Sequence, residues 1–135
     1  MALITVPRVL AVLGVTFVGL QLVPYGRAHT NPPERVEPAW DSPATRALAV
    51  RACFDCHSNE TVWPWYSHVA PLSWSVQEHV DEGREKLNFS AWNRPQEEAE
   101  EVGEVIEEGE MPLDNYLWLH PEAKLTDAEK KQLVA

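Results

Sequence analysis

Cysteine is scarce in this sequence of 135 residues, which has two, Cys53 and Cys56. A zinc site needs four ligands and would have a single Cys pair to draw on. A structural disulfide between residues three apart is strained in most backbones. A thioredoxin-like redox pair needs a βαβ context, and no stretch of useful length alternates apolar and polar residues as a strand does. Methionine is as rare, Met111 being the one besides the initiator. Basic residues are in deficit: 11 Lys and Arg against 21 Asp and Glu give a formal net charge of −10. With residues 1–28 set aside, Arg8 and Arg27 go too, and 9 basic against 21 acidic residues leave −12. That balance argues against nucleic acid or an anionic membrane surface as the partner of the remainder. The sequence also lacks an internal repeat, a phosphate-binding loop, a nucleophile signature and carboxylates spaced for acid–base work.

What the sequence does have is Cys53-Phe54-Asp55-Cys56-His57, and Cys-x-x-Cys-His is the covalent attachment site of c-type haem. Two thiols one helical turn apart can each add to a vinyl group on the same porphyrin edge. The next residue then places its imidazole under the iron as the proximal ligand. The motif uses both cysteines of the chain. One haem c, covalent through Cys53 and Cys56 with His57 on the metal, is the expected cofactor.

Ahead of the motif, Arg8 precedes an apolar run over residues 9–23. Fifteen residues fall short of the roughly 20 that a membrane span needs. Gly26-Arg27-Ala28 offers small residues for signal peptidase, with Arg27 weakening the site. Residues 1–28 are therefore expected to be a cleaved signal peptide or a retained membrane anchor, the anchor being slightly favoured. Both place the rest of the chain across a membrane, where bacterial c-type attachment is completed. The expected location is the periplasmic side of the cytoplasmic membrane, anchored, or the periplasm or exterior after cleavage.

Residues 29–41, with Pro32, Pro33 and Pro38, read as an extended tether that Trp40 can pin down. Residues 42–135 are expected to form one all-α haem-binding domain. Ser42 as N-cap and Pro43 at the first helical position open a helix through Cys56. Pro71 and Ser73 open a second, to about Lys86. A third is expected from near Pro95, its Glu-rich first turn suiting the helix dipole, and Gly109 is its natural stop. The acidic run 97–110 reads as a solvated face. Thr126 and Glu129 form a capping box for a short last helix, and the residues between Met111 and Thr126 read as loop.

Met111 sits in Gly109-Glu110-Met111-Pro112-Leu113, just past a helix. A thioether opposite His gives electron-transfer ligation and raises the reduction potential, and Pro112 stiffens the loop. Met111 is the expected sixth ligand, with His68, His79 and His120 as competitors and His29 behind them. The Pro-broken aromatic stretch Trp63-Pro64-Trp65-Tyr66 is expected to wall the haem pocket, Trp63, Trp65 or Tyr66 bonding a propionate.

The order of N-terminal helix, Cys-x-x-Cys-His, Met-Pro loop and capped last helix resembles class I cytochrome c. The chain resembles more closely a bacterial family of haem-binding domain proteins. The segments that carry this are Gly26-Arg27-Ala28-His29-Thr30-Asn31-Pro32-Pro33, Trp40-Asp41-Ser42-Pro43, Arg51 through Asn59, Trp63 through Ser67, Val69-Ala70-Pro71 and Gly109-Glu110-Met111-Pro112. The resemblance implies one covalent haem, with Cys53 and Cys56 as thioether partners and His57 as proximal ligand. Met111 matches the cytochrome Met position, and an N-terminal membrane segment is implied.

The expected function is single-haem electron transfer rather than enzyme catalysis, with a redox partner protein that is basic. The alternative is a haem-based sensor or peroxidase-like enzyme with an open or displaceable sixth position, His68 or His79 serving as distal acid–base group. A haem module docked on a membrane oxidoreductase is a third reading.

Overall fold

The computed structural model of the protein describes residues 5–135. Among them it is helical: α1 (Val6–Leu20), α2 (Pro43–Ala52), α3 (Phe54–His57), α4 (Leu72–Lys86), α5 (Val102–Glu108), α6 (Asp114–Leu119) and α7 (Asp127–Val134), with short 3-10 turns at Trp65–His68 and Pro121–Ala123. The extended backbone makes one isolated parallel bridge, Val36 with Ala91. The all-α expectation holds.

The chain forms two compact units. The first joins the residues up to 30 with 63–78. Its helix α1 buries none of its residues, and Leu10, Val12, Leu13 and Val15 lie open. Fifteen helical residues rise about 22 Å, against roughly 30 Å of bilayer hydrocarbon. Among the described residues no helix is long and apolar enough to cross a membrane. The expected N-terminal anchor is therefore not met by α1, and residues 1–4 of the expected targeting segment lie outside the described residues. Beyond α1 the chain is clasped by Gln21. Its amide donates to the Ala70 carbonyl at 2.9 Å and accepts from the Ala70 N–H at 3.0 Å. His29 stacks on Trp63 at 4.6 Å, meets His68 edge-on at 4.5 Å and donates from Nε2 to the Ser67 carbonyl at 3.0 Å.

The second unit comprises 31–62 and 79–135. Ser42 caps α2 as expected, its Oγ accepting from the Thr45 N–H at 3.1 Å. Thr45, Leu48, Ala49 and Ala52 then fall on one buried face at helical spacing. The helix stops one residue before the motif: Cys53 has φ −125° and a one-turn helix restarts at Phe54. Leu48, Ala52, Ile106 and Leu125 form one apolar cluster, and Ala49, Phe54, Leu87 and Phe89 a second, with Cys53 and Val102 packed against both. Phe89 stacks on Phe54 at 5.7 Å and on Trp92 at 5.8 Å, and Trp40 leans on it at 5.4 Å. The Pro-rich segment is tied down at that end. Val36 donates to the Ser90 carbonyl and accepts from Trp92, both at 2.8 Å. Glu37 accepts from Trp40 Nε1 at 2.6 Å and from Arg46 Nε and Nη2 at 2.7 and 2.6 Å.

Two expectations about helices are corrected. The helix predicted from Pro95 begins only at Val102. Distant partners hold the intervening turns: the Gln96 amide accepts from the Asn88 N–H at 2.7 Å and donates to the Ala91 carbonyl at 2.8 Å, while the Glu98 N–H donates to the Lys86 carbonyl at 3.1 Å. The predicted loop after Met111 contains α6. At the far end the capping box of Thr126 and Glu129 forms in full. The short α7 packs on α2 and α5, with Arg51 bonding Glu129 at 2.7 Å.

Candidate functional site

The motif is presented by the packing of α3 against α4. Gly83 permits this approach, because a Cβ there would lie 2.5 Å from the Cys56 carbonyl oxygen. The close fit brings the last turn of α4 to His57. Its Nδ1 lies 3.0 Å from the Gly83 carbonyl and 3.0 Å from the Leu87 carbonyl. Carbonyl oxygens only accept, so Nδ1 carries the ring proton and shares it between them. Nε2 is left with its lone pair for a metal. Burial, more than offsetting the two backbone hydrogen bonds, holds the His57 pKa below its usual value and keeps the ring neutral.

The chain leaving His57 is fixed as firmly. The Phe89 N–H donates to the His57 carbonyl at 2.8 Å. Ser90 Oγ accepts from the Asn59 N–H at 3.0 Å, and Asn88 donates to the Asn59 side chain at 3.0 Å, all three side chains being buried. Arg84 reaches the Ser58 carbonyl at 2.8 Å, Thr61 Oγ1 at 2.9 Å and Asn31 Oδ1 at 2.8 Å. Burial lowers its pKa from the ordinary arginine value.

Both thiols are free and half-buried. Burial pushes Cys53 up to about 12, with the Cys56 charge a lesser cause. Burial and then the Asp55 carboxylate push Cys56 up to about 11. In the folded chain both are therefore thiols at neutral pH.

Met111 arrives from α5. Gly109 ends that helix in the left-handed conformation, φ +80°. The Glu110 and Met111 N–H groups then turn back onto the Val105 carbonyl at 2.9 and 3.2 Å. This aims the Met-Pro loop at two clefts that share Ala52, Cys53, His57, Lys86, Glu98, Met111 and Pro112. The larger, about 280 Å³, is walled by Leu87, Phe89, Val102, Val105, Ile106 and Leu125. The smaller, about 120 Å³, is completed by Asp55, Cys56, His79, Glu82, Gly83, Leu113 and Tyr116. Lys86, paired with Glu98 at 3.2 Å, is the one Lys or Arg among the residues lining them, against the carboxylates of Asp55, Glu82, Glu98, Glu101 and Glu110.

The structure thus gathers Cys53, Cys56, His57 and Met111 around one place. Trp63, Trp65 and Tyr66, expected as haem contacts, line neither cleft. They belong to the first unit, where Trp63 stacks on His29 and Trp65 stands open against Tyr66. The aromatic ring lining the larger cleft is that of Phe89. Of the competing histidines, His79 lines the smaller cleft, while His68 and His120 line neither. Tyr116 was not expected at the site, and the stripe Val102, Val105, Ile106 on α5, legible as an apolar helix face, was not placed there either.

The donor set fits haem. Two thiols one turn apart, an imidazole with Nε2 free, a thioether and an apolar wall suit a flat apolar ring with iron at its centre. No curated protein and no solved structure matches the chain. A family model described as a haem-binding domain matches residues 15–135, all of α2 through α7 included. With that match over nearly its whole length, the chain belongs to the haem-binding domain family and is a haem-binding protein.

Proposed function

We propose that the protein holds one haem c and works as an electron carrier on the outer side of the cytoplasmic membrane. The observation that carries this is that Met111, from a stretch far along the chain, converges with the three side chains of the motif. Cys53, Cys56, His57 and Met111 line one cleft, and the His57 proton is committed to two carbonyls. In this reading Cys53 and Cys56 form the thioethers, His57 Nε2 is the proximal ligand and Met111 the sixth. The haem supplies one-electron chemistry when bound. The chain buries it against Phe89 and the α5 stripe and excludes water from that side. His57, fixed by two carbonyls, and Met111, fixed by its turn onto Val105, would hold the metal through a one-electron change with little rearrangement. The carboxylates around the cleft favour a basic redox partner. Placement outside the membrane rests on covalent attachment and on α1, whose largely apolar stretch after Arg8 matches the core of an export signal.

The test is the absorption spectrum of the ferrous protein with and without carbon monoxide, together with acid–solvent extraction of the haem. An unchanged spectrum with haem retained by the polypeptide supports the carrier. Extractable haem removes the thioethers, and ready CO binding removes the closed sixth position. The second reading, a sensor or peroxidase-like enzyme, is favoured by one observation: His79 lines the smaller cleft with His57 and Met111. Ready CO binding would move the protein into that class.

A further inference from the structure

The Met111 loop is fastened at both ends, and the far fastening lies inside the haem motif. At the near end Glu110 and Met111 donate to the Val105 carbonyl. Five residues on, Tyr116 of α6 donates its hydroxyl to Asp55 Oδ2 at 2.7 Å. Asp55 lies between the two cysteines, immediately before Cys56, and it does not swing freely. Its Oδ1 accepts from the Val62 N–H at 3.0 Å, and its carbonyl accepts from Thr61 Oγ1 at 2.8 Å. Thr61 is itself held by Arg84 at 2.9 Å. The Tyr116 ring is steadied by His120, stacked at 4.3 Å and 11°. Between the two fastenings, Met111, Pro112 and Leu113 line the smaller cleft, as Tyr116 and Asp55 do.

Short helices such as α6, six residues with no side-chain N-cap, have little stability of their own. Tertiary contacts set where α6 lies, and the Tyr116–Asp55 bond ties it directly to the motif. A hydrogen bond to an ionised carboxylate is among the stronger single contacts available. A Met that leaves the iron must carry its loop outward, and that movement pulls against this bond.

We propose that Tyr116 is a positioning residue for the sixth ligand: through Asp55 it latches the Met111 loop shut over the iron. The proposal rests on Met111 being that ligand. Tyr116 need not touch the haem to act. It raises the cost of opening, so it sets how readily a small ligand competes with Met111.

The test is carbon monoxide titration of the haem-loaded, ferrous full-length chain, with thermal melting alongside. The variants are Tyr116→Phe, Asp55→Asn, Met111→Ala and the double variant Tyr116→Phe/Met111→Ala. Tyr116→Phe keeps the ring on His120 and removes only the hydroxyl. It should raise apparent CO affinity roughly tenfold. Asp55→Asn leaves a neutral acceptor and should raise it about threefold. In the Met111→Ala background Tyr116→Phe should add nothing, because no latch is left to release. If Met111→Ala opens the iron but Tyr116→Phe and Asp55→Asn stay within twofold of wild type, the latch is wrong and the ligand reading stands. An equal gain in both backgrounds also overturns it, since Tyr116 would then act on the fold rather than through Met111. If Met111→Ala leaves CO affinity unchanged, the ligand reading fails and takes the latch with it. Should Tyr116→Phe not accept haem, Asp55→Asn tests the same bond.

Discussion

Replacing Gly83 by alanine tests how the histidine is held. A Cβ at this position would lie 2.5 Å from the Cys56 carbonyl oxygen, 3.0 Å from the carbonyl carbon and 3.1 Å from the Cys56 Cβ. Two of these atoms are backbone, so α3 and α4 must move apart. Overpacking of this kind costs about 1–3 kcal/mol, and a clash with backbone belongs at the upper end. Alanine's better helix propensity returns about 1 kcal/mol. The net expectation is a loss of about 2 kcal/mol, or a fall in melting temperature of roughly 5–10 °C. Gly103→Ala is the control on α5. There the new methyl meets only Val134 Cγ1, at 3.0 Å, the far end of a side chain on α7. That variant should stay within about 0.5 kcal/mol of wild type. Circular-dichroism melting of the two variants beside the wild type gives the comparison. Haem incorporation should fall in Gly83→Ala alone, because α4, which must move, carries the Gly83 carbonyl, one of the two that hold His57. If Gly83→Ala melts with Gly103→Ala, the packing of α3 on α4 does not work as described.

Glu37→Gln breaks the bidentate pairing with Arg46 and should cost about 1–3 kcal/mol in a urea titration; a loss under 0.3 kcal/mol would refute it. Hydrogen bonds from Arg46 hold the Glu37 carboxyl below its ordinary value of 4.5. Its folded-state pKa is depressed, so its stabilisation is complete above pH 4.5 and is lost as pH falls through the lower value. The wild type should therefore lose stability more steeply than Glu37→Gln between about pH 5 and 3. Phe89→Ala removes the ring that both stacks and walls the cleft, and about 3–5 kcal/mol is expected; a loss below 1 kcal/mol would mean the cluster closes over the gap. Met111→Ala should lower the reduction potential of the loaded protein in a mediated redox titration, and an unchanged potential would take Met111 off the iron.

Local chemistry was legible in the sequence. Ser42-Pro43, Gly109 and the Thr126–Glu129 box each mark a helix end through contacts within four residues, and all three ends lie where expected. The grouping of Cys53, Cys56 and His57 was legible for a similar reason, since the three lie within five residues and line one cleft. What could not be read depends on partners far along the chain. Residues 95–101 carry helix-favouring glutamates, yet Gln96 and Glu98 find Asn88 and Lys86 and the turn stays unwound. Helix α6 has no side-chain cap and no buried residue, so neither end nor face announces it. Trp63, Trp65 and Tyr66 line neither cleft, and Phe89, which lines the larger one, reaches it through its stack on Phe54, more than thirty positions earlier in the chain. The targeting segment was read from its apolar run, Arg8 and the Gly26-Arg27-Ala28 site, and the helix that forms there is fifteen residues.

The shared proton of His57 reaches beyond ring orientation. Two carbonyl dipoles at the end of α4 draw the Nδ1 proton toward themselves, giving the imidazole partial imidazolate character. Such hydrogen bonding at Nδ1 raises the basicity of Nε2 as a ligand. A stronger donor favours the higher oxidation state of whatever metal it meets, while a thioether favours the lower. With Met111 as the sixth ligand, as proposed, α4 and the Met111 loop would pull in opposite senses, and the backbone geometry of one helix end would become a tuning element for the other ligand's effect.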